Sequence, residues 1–172
     1  MSFIEINERV GKTYHPGWFL AHEECTRETF EADASNSAVE TAGNGGKYLP
    51  MGTIYPAADA TAVGIVYEDV DVTSGNMPGS LVTEGTVYEN RLPEAEDSYS
   101  SVTPAGTENP KEEGWYEKDG NEYELTTDTT VTEGTTYYEY DGKLIPSTAK
   151  TALAALGFKF VTEPEVTRPA ED

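Results

Sequence analysis

The residues of this chain with which chemistry could be done are two histidines, one cysteine and a large surplus of carboxylates. His22, Glu23, Glu24 and Cys25 stand together, a set that on paper offers a thiol nucleophile or a metal ligand. A zinc site needs three or four convergent ligands. His15 and His22 are near no Cys-x-x-Cys and no His-Glu-x-x-His pattern. The acids beside Cys25 raise rather than lower a thiol pKa, so they work against a thiolate. Asp69 and Asp71 alternate with Val70 and Val72, which places both acids on one strand face. They could supply two oxygens to Ca²⁺, but the spacing of a calcium-binding helix-loop-helix is absent. There is no phosphate-binding glycine loop, no dinucleotide glycine pattern and no nucleophile elbow. Glycoside hydrolysis needs two carboxylates flanking a cleft, and abundance of acids does not make that pair. The expectation is no enzyme, no cofactor and no metal site.

The bulk numbers point the same way. The chain has 172 residues, 32 acidic against 11 basic, for a net charge of −21. Nucleic-acid binding depends on Lys and Arg neutralising phosphates, so a chain this acidic repels it, and it repels anionic membrane surfaces too. The same charge suits solubility or a basic partner surface. Apolar residues make up 37 %, below the roughly 45–50 % usual for a globular domain, which suggests exposed arms or burial completed by a partner. One cysteine, Cys25, excludes an intrachain disulfide. The first residues lack the basic start and apolar run of a secretory signal, and no stretch approaches the ~20 apolar residues of a membrane span. Synthesis in a cytoplasm as a soluble chain is the expectation.

The elements that must position any site are mostly strands. Residues 47–55, 62–70 and 80–88 read as strands separated by Gly, Pro, Asn and Asp. Gly64 and Gly85 lie inside these runs and mark bulges or close backbone approach. Residues 29–31 read as a short strand inside an opening segment, 1–46, whose large apolar residues Phe3, Ile4, Ile6, Tyr14, Trp18, Phe19 and Leu20 are scattered among charges. Such a segment either waits for a partner or packs as an ordered extended arm on its own domain. Residues 94–107 read as a linker. The stretch 108–142 holds 11 acids, 2 lysines and 6 of the 18 aromatic residues. It is expected to form two hairpins turning at Asp119–Asn121 and Asp141–Gly142, with Thr-rich 126–131 between them and Tyr123, Leu125, Val131 and Tyr137 as a small core. Residues 147–156 make the one clear helix, with Ser147 as cap and Gly157 as left-handed stop. A return strand follows at 158–161, then a Pro-rich tail, 162–172. Val82-Thr83-Glu84-Gly85-Thr86 recurs at 131–135, an echo of turn chemistry and not a repeat architecture.

Lys47-Tyr48-Leu49-Pro50 with Gly52-Thr53, Ala62-Val63-Gly64-Ile65, Glu68-Asp69-Val70-Asp71-Val72 and Gly85-Thr86-Val87-Tyr88, followed by the helix and Leu156-Gly157-Phe158-Lys159-Phe160-Val161, resemble the head decoration proteins of tailed phages. The acidic, Tyr-rich stretch departs from that pattern and resembles short modules found in phage structural proteins. The resemblance implies a mainly β, tulip- or barrel-like decoration domain at 47–107 and 143–161, with one short helix. It also implies a capsid-contacting arm at 1–46 carrying Phe3, Ile4, Tyr14, Trp18, Phe19 and Leu20, a β insert at 108–142 and a flexible tail at 162–172. It implies a structural protein of the virion: a homotrimer, bound to the major capsid protein on the outer surface of an expanded head, which it stabilises. It implies no nucleic acid and no membrane as partners. The alternative is a host-receptor or carbohydrate-binding module of the virion surface, with Trp115, Tyr116, Tyr137 and Tyr138 as stacking residues. Against it stands their use as hairpin core and cross-strand pairs.

Overall fold

A computed structural model of the chain describes residues 15–163. It is mainly β, with twelve strands and two helices among the described residues. The described residues divide into two compact units, one formed by 15–95 with 145–163 and the other by 96–144.

In the first unit the strands are β1 (Leu20–Ala32), β2 (Glu40–Thr41), β3 (Lys47–Leu49), β4 (Ile54–Tyr55), β5 (Gly64–Val66), β6 (Val70–Asp71), β7 (Met77–Tyr88) and, after the second unit, β12 (Lys159–Val161). One sheet runs β1-β7-β5-β4, with β12 added parallel to β7. A small sheet runs β2-β3-β6. Ile65 pairs with Val82, and Val66 with Leu81. The first pair belongs to a core with Phe19, Ile54, Val87, Leu92, Ala149, Leu153 and Phe158. The second belongs to a core with Ala32, Leu49, Val70 and Val72. Successive residues of a strand point to opposite faces, so this sheet is buried on both. That is why the sequence there is continuously apolar rather than alternating.

Helix Ser147–Leu156 forms over the expected residues. Gly157 ends it at φ 108°, and Phe158 N–H bonds to Leu153 O at 3.2 Å. Ser147 is not its cap: the capping position is Pro146, and no side chain caps the helix. Instead the Glu89 carboxylate, in the 3-10 turn Glu89–Arg91, accepts from Ile145 N–H at 3.0 Å and from Lys150 Nζ at 2.6 Å. A negative charge beside the first turn of a helix favours its dipole.

The second unit holds β8 (Glu96–Val102), α1 (Pro110–Glu113), β9 (Tyr116–Asp119), β10 (Glu122–Leu125) and β11 (Tyr137–Leu144), in the order β10-β9-β11-β8; the long helix is thus α2. Asn109 caps α1 by accepting from Lys111 and Glu112 N–H, Pro110 opens it and Gly114 closes it at φ 74°. The hairpin β9–β10 turns at Gly120–Asn121.

Several expectations are corrected. The insert begins at 96 and ends at 144 rather than at 108 and 142, because residues 96–102, read as part of a linker, form β8 and pair with β11 from Glu96↔Leu144 to Val102↔Tyr137. Asp141–Gly142 is not a hairpin turn. β11 runs through it with a bulge between Tyr140 and Gly142, and Gly142 sits at φ 98°. Residues 126–131 form no strand. In the proposed core of the insert Tyr137 is fully buried, but Leu125 is exposed and its place is taken by Trp115. Residues 15–46 are part of the first unit, not a separate arm: β1 pairs with β7 along its length.

Gly64 shows what the double burial demands. A Cβ there would lie 2.4 Å from Val82 O, a backbone atom that cannot give way. Gly64→Ala is expected to lower unfolding free energy by about 1–3 kcal/mol, as overpacking does. Gly106→Ala, where nothing lies within 4 Å, should change it by less than about 0.5 kcal/mol. Urea midpoints of the two variants check this.

Candidate functional site

The six residues expected to contact a partner separate in the structure. Phe3, Ile4 and Tyr14 lie outside the described residues. Phe19 is 0 % exposed, inside the first core, and Leu20 opens β1 and packs against that core. The expectation that Phe19 and Leu20 face a partner is thus corrected: the chain buries Phe19 itself and packs half-buried Leu20 against the same core. Trp18 remains at the surface, 37 % exposed. The alternation is set by a turn at Pro16–Phe19, in which Trp18 N–H bonds to His15 O at 3.1 Å and Leu20 N–H to Gly17 O at 2.8 Å. Gly17, at φ 70°, lets its N–H reach Tyr67 O at 2.9 Å.

Trp18 is positioned by Arg91, a residue the sequence reading passed over. Its guanidinium stacks on the Trp18 ring at 4.8 Å and on the Tyr88 ring at 4.3 Å. It donates to Trp18 O at 2.5 Å and binds both oxygens of Glu163, Nε at 3.1 Å and Nη2 at 2.5 Å. Only the rigid fork of arginine can hold a carboxylate bidentately while stacking between two rings. One side chain therefore ties the start of β1, the end of β7 and the residue two beyond β12, and it holds Trp18 and Tyr88 together, with half-exposed Val161 paired in register to Tyr88. The available signal was the scarcity of arginine in a chain with 11 basic residues.

The candidate reactive groups do not converge. His22, Glu23 and Glu24 are exposed in a bulge of β1 between the pairs Leu20↔Val87 and Cys25↔Gly85, and Cys25 is half-buried beside Gly85. Val70 and Val72 both enter the second core, so Asp69 and Asp71 lie together on the opposite side of that run, as the alternation predicts, but each is bound to a different group. Asp69 Oδ1 accepts from Met51 N–H at 2.6 Å, and Asp71 Oδ1 from Thr73 N–H at 2.9 Å. Asp33, Asp59 and Asp71 share one local design, Asp-x-Ser/Thr, in which the hydroxyl and N–H two residues on hold the carboxylate below its usual range. Among the described residues no three His, Cys, Asp or Glu side chains are grouped so as to hold a metal ion. Among them, too, no helix is long and apolar enough to cross a membrane.

The tyrosines of the insert form the second notable cluster. Tyr99 and Tyr123 stack at 3.9 Å, Tyr99 meets Tyr116 edge-on at 5.2 Å and Tyr140 at 5.3 Å, and Tyr123 meets Tyr138 at 5.2 Å. Tyr99 and Tyr123 sit on the two edge strands, so the sheet curls until its edges meet across this face. On the other face Trp115 and Tyr137 are buried with ring centroids 5.5 Å apart. Tyr137 donates to Asp128 Oδ2 at 2.5 Å, and Trp115 Nε1 donates to Glu139 at 3.2 Å. Trp115 and Tyr137, two of the residues assigned to sugar stacking in the alternative reading, are thus core.

No family model, curated protein or solved structure matches the chain.

The Glu94 carboxyl stands above its usual range, because burial disfavours its charge against the bond it accepts from Ile54 N–H at 3.0 Å. Its second oxygen is buried without a partner. A raised folded-state pKa means the folded form holds its proton more tightly than the unfolded chain. The stabilisation is complete below the unfolded value, 4.5, and is lost as pH rises through the folded one. Glu94→Gln keeps the acceptor and removes the charge. It should melt with the wild type in acid and above it at neutral pH, by the order of 1 kcal/mol. Thermal unfolding at both pH values checks the sign.

Proposed function

We propose that this chain is a structural protein that decorates the outer surface of an expanded phage head, as a homotrimer bound to the major capsid protein, and stabilises the shell. The observation that carries the reading is where the resembling segments lie. All the motifs between 46 and 93 and the segment 147–161 fall in the first compact unit, and the stretch that departs from the pattern folds as the second. The decoration-like sequence is one folded unit with a guest, not a scatter of short likenesses. A low apolar fraction fits burial completed by other copies, and a surface holding Trp18 and Tyr88 fits a contact with capsid. Three weak contacts made at once by a trimer become firm.

Co-sedimentation of purified protein with expanded capsids tests this, with electron microscopy of the pellet showing trimers at threefold positions. Absence of binding overturns it. Trp18→Ala is expected to weaken capsid retention at least about tenfold with an unchanged circular dichroism spectrum. Phe19→Ala, which empties a core site, should cost about 3–5 kcal/mol of stability instead.

A further inference from the structure

We propose that the tyrosine face of the insert is a contact surface between copies of this chain, and that its occupant is the acidic back of the β9–β10 hairpin of a second copy.

Register decides which residues share each face. Cross-strand partners lie on the same side. Tyr123↔Lys118 and Leu125↔Tyr116 define one side of the hairpin, and Tyr138↔Tyr116 carries that side to β11. Tyr140↔Tyr99 and Lys143↔Asp97 carry it to β8. This face therefore presents five tyrosines, Leu125 at 56 % exposure, Tyr140 at 45 %, two lysines and one acid. Lys118 Nζ already lies 5.3 Å from the Tyr123 ring centre.

The other side of the hairpin carries Glu122↔Asp119 and Glu124↔Glu117. Those are two acid pairs set directly opposite each other, an arrangement that destabilises a hairpin. The only partner shown for these four carboxylates is the Thr126 hydroxyl, which donates to Glu117 at 2.8 Å. The insert carries 13 acids and 3 lysines between 96 and 144, yet two of those lysines stand on the tyrosine face and none on the acidic back. The unit thus has two complementary sides that cannot meet within one chain. A second copy brings them together: lysines against carboxylates, with tyrosine rings and Leu125 covered between. The contact is head to tail, so it closes into a ring or continues. The sheet curls on this side until Tyr99 stacks on Tyr123, which leaves Tyr140, Leu125 and the two lysines as its exposed part, a smaller area than the roughly 800 Å² per partner of a stable pair. The contact is therefore weak and salt-sensitive on its own and adds to others.

The inference rests on the self-association in the proposed reading, and a charge exchange in the full-length chain separates the two. Sedimentation velocity would compare the wild type with Lys118→Glu/Lys143→Glu and Asp119→Lys/Glu122→Lys/Glu124→Lys, at low and high salt. Each variant alone presents like charge on both sides and should lose association about tenfold or more, near 1.4 kcal/mol. Their equimolar mixture should recover it, and high salt should weaken wild type and mixture alike. A mixture no stronger than its parts, with both variants folded by circular dichroism, overturns the inference. A homotrimer that survives both charge variants also overturns it and leaves the proposed reading standing. A wild type monomeric at every concentration, with no trimers on capsids, overturns both. Quenching of tyrosine fluorescence by a neutral oligosaccharide, without self-association, assigns the face to sugar and overturns the inference as well.

Discussion

The pairing of β5 with β7 is the constraint on which the first unit is built. Ile65↔Val82 and Val66↔Leu81 send adjacent residues of each strand into separate cores. Burying both faces of a two-strand contact leaves no room for slippage, because a shift of one residue would exchange every side chain between cores. It also sets the local sequence. Gly64 must lack a Cβ because Val82 O lies against it. Gly79 must lack one because Val70 and the Phe30 ring would stand 2.7 and 2.8 Å away. The small sheet β2-β3-β6 closes one core and α2 the other, so neither is a second domain; each is a cover for one side of the same pair of strands.

Two buried carboxylates then account for how a guest of about fifty residues is carried without disturbing that arrangement. Glu94, two residues before the insert, holds Ile54 N–H, and Glu89 holds Ile145 N–H, the first residue after it. Both ends of the interruption are thus fixed to the host by a carboxylate that accepts a backbone N–H; at Glu89, paired with Lys150, the bond is charge-assisted and stronger than a neutral one, whereas at Glu94 burial works against the charge. Within the guest the first and last strands, β8 and β11, pair from Glu96↔Leu144 onward, so its two ends lie side by side. An insertion with adjacent ends costs the host little chain entropy. The guest has its own core. Trp115 and Tyr137 supply that core, with the Asp128 carboxylate closing the phenol and the Thr132 hydroxyl around one acceptor.

What the sequence made legible was local chemistry with a single solution. Helix 147–156, its left-handed stop at Gly157, the turn at 120–121 and the close approach at Gly64 each follow from residue type and spacing alone. What it hid was chemistry with two solutions. Val-Thr-Glu-Gly-Thr occurs twice. At 82–86 it is extended in β7, held by β1 and, through Val82, by β5. At 131–135 it folds into a turn, with Gly134 at φ 84° and Thr135 N–H on Thr132 O at 3.2 Å. Asp-Gly at 141–142 reads as a hairpin and becomes a bulge for the same reason: β8 is present as a partner on the far side, and β8 itself, Glu-Asp-Ser-Tyr-Ser-Ser-Val, is too polar to announce a strand. The one-turn helix α1 was legible in Asn109, Pro110 and Gly114 and needed only to be read as cap, first residue and stop. Which of the opening aromatic residues faces outward was the least legible. Whether Trp18 or its neighbour Phe19 faces outward depends on a turn pinned by Tyr67, nearly fifty residues away.

That adjacency has a functional corollary. Phe19 anchors the core and Trp18 lies on Arg91, one residue apart on a turn that Gly17 allows. The outward ring is thus fixed by the inward one: the turn cannot rotate Trp18 without pulling Phe19 out of a filled site, which costs several kcal/mol. Arg91 adds the second restraint from the other side, and through Glu163 it couples the same surface to the strand that follows α2. A ring held by core burial on one side and a bidentate guanidinium on the other loses little freedom when a partner covers it. Pre-organisation of that kind raises affinity by lowering the cost of ordering rather than by adding contacts. In a chain whose net charge of −21 works against approach to any acidic surface, a small rigid aromatic contact is the form of adhesion that charge leaves open.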